Sequence, residues 1–110
     1  FKGLCMDKFI VIFIAAGSEE ESKKIAHALI KEKLAACVNI IPQVQSLFLW
    51  KKNTCIEEEV LLIVKSKMTL FDEIIDRVKQ LHSYEVPEII ALPVIGGSDD
   101  YLQWVQESTC

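Results

Sequence analysis

Two residues of this chain, Cys37 and His82, carry side chains that suit a soft metal ion. A cysteine thiolate favours Cu(I), and an imidazole nitrogen is a common ligand for copper and zinc. Structural roles are the default interpretation of both: Cys37 lies in an apolar segment typical of an inert buried thiol, and a protonated His82 at a helix end complements the helix dipole. Since one Cys and one His do not complete a site, further ligands would come from Glu59, Glu88 or another subunit.

A second pair of candidates, Glu59 and Lys65, lies in one predicted strand. They are six residues apart, so both side chains point to the same face, roughly 20 Å from each other. They are too far apart to pair, and each needs a partner elsewhere unless it lies at a solvated strand end.

The composition excludes several classes of function. The net charge of the 110-residue chain is −4, and Arg77 is its only arginine, which argues against a nucleic-acid partner. No apolar run reaches the ~18 residues that a membrane span needs. No strained serine elbow or phosphate-binding glycine loop is present, so we predict that the chain is not an enzyme.

Cysteine spacing indicates the compartment. The sequence has four cysteines and no CxxC pair, which favours free thiols over a zinc ribbon or a disulfide framework. We therefore predict a cytoplasmic protein.

The elements that must position these residues follow from hydrophobic periodicity and capping residues. Residues 1–7 are predicted to be an N-terminal extension, and residues 8–110 a single domain. The predicted elements are a strand at 8–16, a helix capped by Ser18 with Glu21 completing a capping box, a strand at 35–50 bent at Pro42, a turn at 51–54, a strand at 58–67, a helix capped by Thr69, a strand at 88–95 and a helix capped by Ser98. This order predicts an α+β fold, a ferredoxin-like βαββαβ plait with a long central hairpin and an extra C-terminal helix.

The predicted sheet is apolar on both faces. In the plait both main helices cover one face, so the other should alternate to polar residues if it met water. The runs at 9–14, 60–64 and 89–92 do not alternate. A second copy of the chain is the expected cover, with the C-terminal helix as the alternative.

Four ordered motifs resemble those of the CutA divalent-cation-tolerance proteins. They are KLAACVNIIP at 33–42, the hairpin block from Ser46 to Trp50 with EEVLLIVKS at 58–66, HSYEVPEII at 82–90 and YLQWV at 101–105. The resemblance implies a ferredoxin-like subunit in a homotrimer, tolerance of divalent metals, notably copper, and a likeness to the PII signalling trimers that hold nucleotides in clefts between subunits.

The resemblance also implies a cleft between subunits. Its residues here would be Trp50, Glu59, Lys65, Tyr84, Glu88 and Trp104. Some family members are proposed to bind copper through a cysteine in the first strand and a pair of histidines. Ile14 and Leu81 stand at two of those three positions in this chain, and only His82 remains.

Three functions therefore stay open. The first is a trimer that binds copper or another divalent cation weakly through Cys37 and His82. The second is a PII-like regulatory trimer that binds a small organic ligand in its clefts. The third is a structural trimer that anchors an unknown protein partner, with the acidic residues 57–59 as the first contact surface.

Overall fold

A four-stranded antiparallel sheet forms the centre of the fold. The computed structural model describes residues 8–110, so the predicted extension over residues 1–7 lies outside them. In chain order the elements are β1 (Phe9–Ala16), α1 (Glu19–Lys31), β2 (Cys37–Trp50), β3 (Asn53–Lys67), a 3₁₀ turn (Met68–Leu70), α2 (Phe71–Leu81), β4 (Ile89–Pro93) and α3 (Asp99–Ser108). The strand order β2-β3-β1-β4 is that of the predicted ferredoxin-like plait.

Helices α1 and α2 cover one face of the sheet. Alternate residues of β1 and β3 point to this face and pack against the apolar stripes of both helices. The buried cluster comprises Ile10, Ile12, Ile14, Ile25, Leu29, Leu34, Ala35, Leu62, Val64, Leu70, Ile74 and Val78. Within residues 8–110, no helix is long and apolar enough to cross a membrane.

Two of the three predicted helix caps are confirmed. Ser18 Oγ accepts from the backbone N–H of Glu21 at 3.1 Å, and Ser98 Oγ accepts from that of Tyr101 at 3.3 Å. The prediction for Thr69 is wrong, because the 3₁₀ turn precedes α2 and places Leu70 at the cap position without a side-chain hydrogen bond. The 3₁₀ turn provides a backbone acceptor at the start of α2, since the N–H of Phe71 donates to the carbonyl of Met68.

The central hairpin is tighter and longer than predicted. Only Lys51 and Lys52 form its turn, with φ values of 51° and 69°, as in the two-residue turns that match strand twist. Asn53 therefore starts β3 opposite Trp50, and the return strand begins five residues before the predicted Glu58. The three glutamates at 57–59 can lie in a strand because two of their carboxylates stay exposed to water.

A bulge divides β2, as Pro42 predicts. Ile41 pairs with Leu61 and Val44 with Glu59, so Pro42 and Gln43 together oppose one residue of β3. The φ of Gln43 is 62°. A two-against-one bulge reverses which alternate residues of the strand point to a given face.

The face of the sheet opposite α1 and α2, called the open face, is only partly covered. Helix α3 packs at one end, where Phe9, Leu102 and Val105 form a second buried cluster. Beyond it, β1 and β4 present apolar side chains to solvent, including Ile90 and Leu92.

The tip half of the hairpin extends past the rest of the sheet. Strand β1 pairs with β3 only as far as Val60. Residues 44–59, called the outer hairpin, therefore form a two-stranded ribbon. Leu47, Leu49 and Ile56 on one of its faces are largely exposed, although an isolated ribbon is at best marginally stable in water.

Candidate functional site

A groove lies between the outer hairpin and the loop that joins α2 to β4. Its volume is about 770 Å³, within the usual range for small-molecule sites. It is lined by Ala15, Ser46, Leu47, Phe48, Trp50, Cys55, Glu57, Glu59, Tyr84, Glu85, Val86 and Glu88.

Strand register places the hairpin residues in the groove. Phe48 pairs with Cys55 and Ser46 with Glu57, and paired residues point to the same face of an antiparallel ribbon. Trp50 follows Phe48 by two residues and shares that face.

Glu59 and Tyr84 form the polar centre of the groove. The Tyr84 hydroxyl donates to Glu59 Oε2 at 2.9 Å, and Glu59 is only 8% exposed. Burial, the hydrogen bond to Glu59 and the negative charges of Glu59, Glu57 and Glu21 raise the pKa of Tyr84 to about 12. The tyrosine is therefore a neutral donor to a buried carboxylate.

His82 and Glu21 hold the loop that carries Tyr84. His82 Nε2 donates to the carbonyl of Ala15 at 2.6 Å, and Nδ1 accepts from the backbone N–H of Tyr84 at 3.0 Å. Glu21 Oε1 accepts from Ser83 N–H at 2.9 Å, so the predicted capping-box residue also fastens α1 to this loop. Both ring nitrogens are thus bonded to backbone groups, and Glu21 Oε2 lies 3.5 Å from Nδ1.

Replacing Tyr84 with Phe should change the response to alkaline pH. Below pH 10, the ordinary pKa of tyrosine, both folded and unfolded chains keep the Tyr84 proton. Between pH 10 and 12 the unfolded chain loses it first, so the free energy of unfolding of the wild type falls. We expect the stability difference between wild type and Tyr84→Phe to be constant below pH 10 and to shrink above it. Urea denaturation across this range measures it, and a constant difference throughout would contradict the assignment.

The structure does not bring Cys37 and His82 together within one subunit. Cys37 is half-buried, lies opposite Lys65 and contacts the Tyr101 hydroxyl. The ring of His82 binds Ala15, whose partner in β3 is Leu61. Four strand residues, roughly 13 Å, separate these two positions of β3. Among residues 8–110, no three Cys, His, Asp or Glu side chains converge as a metal site.

The predicted cleft residues fall into two groups. Trp50, Glu59, Tyr84 and Glu88 all line the groove. Lys65 instead donates through Nζ to Asn39 Oδ1 on the open face, and Trp104 packs against Tyr101 on α3 with ring centroids 5.5 Å apart. Cys55 and Glu57 are additional groove residues, and their spacing of four and two residues from Glu59 is the signal that identifies them.

Comparisons with known proteins identify the family and the fold. The family described as CutA1 divalent ion tolerance protein matches residues 10–108. The chain belongs to this family. It is 46% identical to the divalent-cation tolerance protein CutA of Thermus thermophilus over 99 residues, covering 90% of this chain and 96% of that protein.

Solved CutA1 structures have the same fold. The Thermus thermophilus protein superposes with a TM-score of 0.91 at 44% identity, covering 93% of this chain and 99% of the other. The Oryza sativa CutA1 structure gives 0.92 at 41% identity, covering 94% and 95%. The chloroplastic CutA of Arabidopsis thaliana is 43% identical over 91% of this chain, which spans 55% of that relative's length.

Proposed function

We propose that the chain forms a homotrimer that acts in divalent-cation tolerance by binding copper or another divalent cation, without catalysing a reaction. Family membership supports the link to divalent cations, since the matching family and the Thermus thermophilus relative are both named for divalent-ion tolerance. Because the curated relatives include a chloroplastic protein, the cytoplasmic location stays a prediction from the sequence.

Exposed apolar surface on two elements is the observation that supports assembly. The open face leaves Ile41, Ile90 and Leu92 uncovered, and the outer hairpin exposes apolar side chains beyond its own domain. Each large apolar side chain that a neighbour buries contributes roughly 1.5–3 kcal/mol. A symmetric trimer would bury these surfaces in every subunit at once.

Cys37 is the better supported of the two proposed metal ligands. Its thiol is half-buried and forms no disulfide. Ligation by His82 would require its ring to release either the Ala15 carbonyl or the Tyr84 N–H. The remaining ligands would come from a neighbouring subunit.

A copper titration tests this proposal. Copper is added to reduced, metal-stripped protein without oxygen, and the heat is measured beside two variants, Cys37→Ser and Cys110→Ser. We expect one saturable site per chain that is lost in Cys37→Ser, because a hydroxyl does not replace a thiolate for this metal.

Cys110→Ser is the matched control, since Cys110 is exposed and lies at the far end of α3 from Tyr101. It should keep the site. Equal, non-saturating heats in wild type and both variants would refute direct copper binding.

The groove favours a second candidate, a regulatory trimer that binds a small organic ligand. Trp50, Phe48 and Tyr84 provide aromatic walls, and Glu59 provides a buried polar group. A concave site with a few well-placed polar groups is typical of small-molecule binding.

A further inference from the structure

The groove carries charge of one sign. Four carboxylates line it, those of Glu57, Glu59, Glu85 and Glu88, and none of the described residues in its lining is Lys, Arg or His. A cleft lined by one sign of charge concentrates ligands of the other sign.

Glu59 is the one buried carboxylate of these four. It is more than nine-tenths buried, and the hydroxyl of Tyr84 binds only Oε2. Among the residues that the structure describes, Tyr84 is the one hydrogen-bond donor to this carboxylate, which lines the groove. A buried negative charge with one neutral donor is costly until a cation joins it.

The rest of the lining indicates which kind of cation fits. A divalent metal ion needs several oxygen ligands around one point, and no three such side chains converge within residues 8–110. An ammonium group needs one carboxylate, and the rings of Phe48 and Trp50 suit both its charge and an apolar stem.

We propose that the groove binds an organic ammonium ion. The ammonium donates to Glu59 Oε1, its stem lies along Phe48 and Trp50, and a second ammonium reaches Glu57 or Glu88. This inference rests on the groove being a small-molecule site, the second candidate function above, and is independent of the copper site.

A titration of the assembled full-length chain with three probes tests this. They are putrescine, the uncharged diol of the same length, and adenosine monophosphate, each followed by calorimetry at low and high salt. We expect putrescine to bind, more weakly at high salt, and the other two not to bind. Glu59→Gln should weaken putrescine by about tenfold or more, as loss of a charge-assisted hydrogen bond does.

Matched variants separate binding from folding. Gln at position 59 keeps an acceptor for Tyr84, and an unchanged melting temperature and assembly state show that the fold persists. Glu73→Gln removes an exposed carboxylate of α2 outside the groove and should leave affinity unchanged. Trp50→Leu should weaken putrescine by roughly threefold or more through loss of the ring.

Four results would overturn the proposal. If the diol binds as well as putrescine, or Glu59→Gln has no effect, the ammonium assignment fails while the groove remains a small-molecule site. If only adenosine monophosphate binds, the assignment fails in favour of a nucleotide. If no probe binds, both the assignment and the second candidate function fail.

Discussion

Ile90→Glu should convert the proposed trimer to monomers. Ile90 lies on the open face in the edge strand β4, paired with Phe13, and is 52% exposed in the single chain. In the proposed trimer the substitution would remove an apolar contact of roughly 1.5–3 kcal/mol and bury an unpaired carboxylate at several kcal/mol more, once in each subunit. Sedimentation equilibrium measures the effect directly.

The control for this prediction is the same substitution on the opposite side. Ile30 lies on α1 and is 44% exposed, so Ile30→Glu changes charge and composition equally without touching the open face. We expect Ile30→Glu to sediment as wild type. A trimer in both variants, or a monomer in the wild type, would show that the open face is not the interface.

His82→Phe should cost roughly 2–6 kcal/mol of stability. Phenylalanine keeps a ring but cannot bond the carbonyl of Ala15 or the N–H of Tyr84, and both histidine contacts are internal, since the side chain is 0% exposed. Each buried backbone group left without a partner costs about 1–3 kcal/mol. Urea denaturation at one fixed chain concentration measures this, because assembly makes stability concentration-dependent.

His27→Phe is the matched control. His27 is exposed on α1, so the same change there should alter the free energy of unfolding by less than about 0.5 kcal/mol. If His82→Phe changed the free energy of unfolding as little as His27→Phe, the imidazole would not be what holds the end of α2 to β1. His82 would then be freer to bind metal than its contacts indicate.

Most of the fold was predictable because local signals agree with it. Apolar runs predict the strands of the sheet, and Ser18 and Ser98 cap helices as their positions predict. The predictions of a helix cap at Thr69 and of a β3 start at Glu58 were wrong for physical reasons. A short 3₁₀ turn cannot be recognised from hydrophobic periodicity. The charged residues that suggested a later start of β3 lie in a ribbon exposed to solvent, where charged side chains are tolerated.

The candidate site was predictable only in part. Alternation places Glu59 and Lys65 on one face, as predicted, and their partners are Tyr84 and Asn39. These partners lie 25 and 26 residues away. The contact with Tyr84 depends on how the loop after α2 folds back, and the contact with Asn39 depends on the pairing of β2 with β3. The same reason explains why the sequence suggests Cys37 and His82 as one site, whereas the fold separates them within a subunit.

The bulge at Pro42 and Gln43 has an evolutionary consequence. Before it, odd-numbered residues of β2 point to the open face. Beyond it, even-numbered residues such as Phe48 and Trp50 do. The loss of one residue at this point would turn every later side chain of the strand to the opposite side. We therefore expect the bulge and the alternation of residues 44–50 to be inherited together. A relative that lacks one residue at the bulge, with the residues after it unchanged, would lack the aromatic wall of the groove.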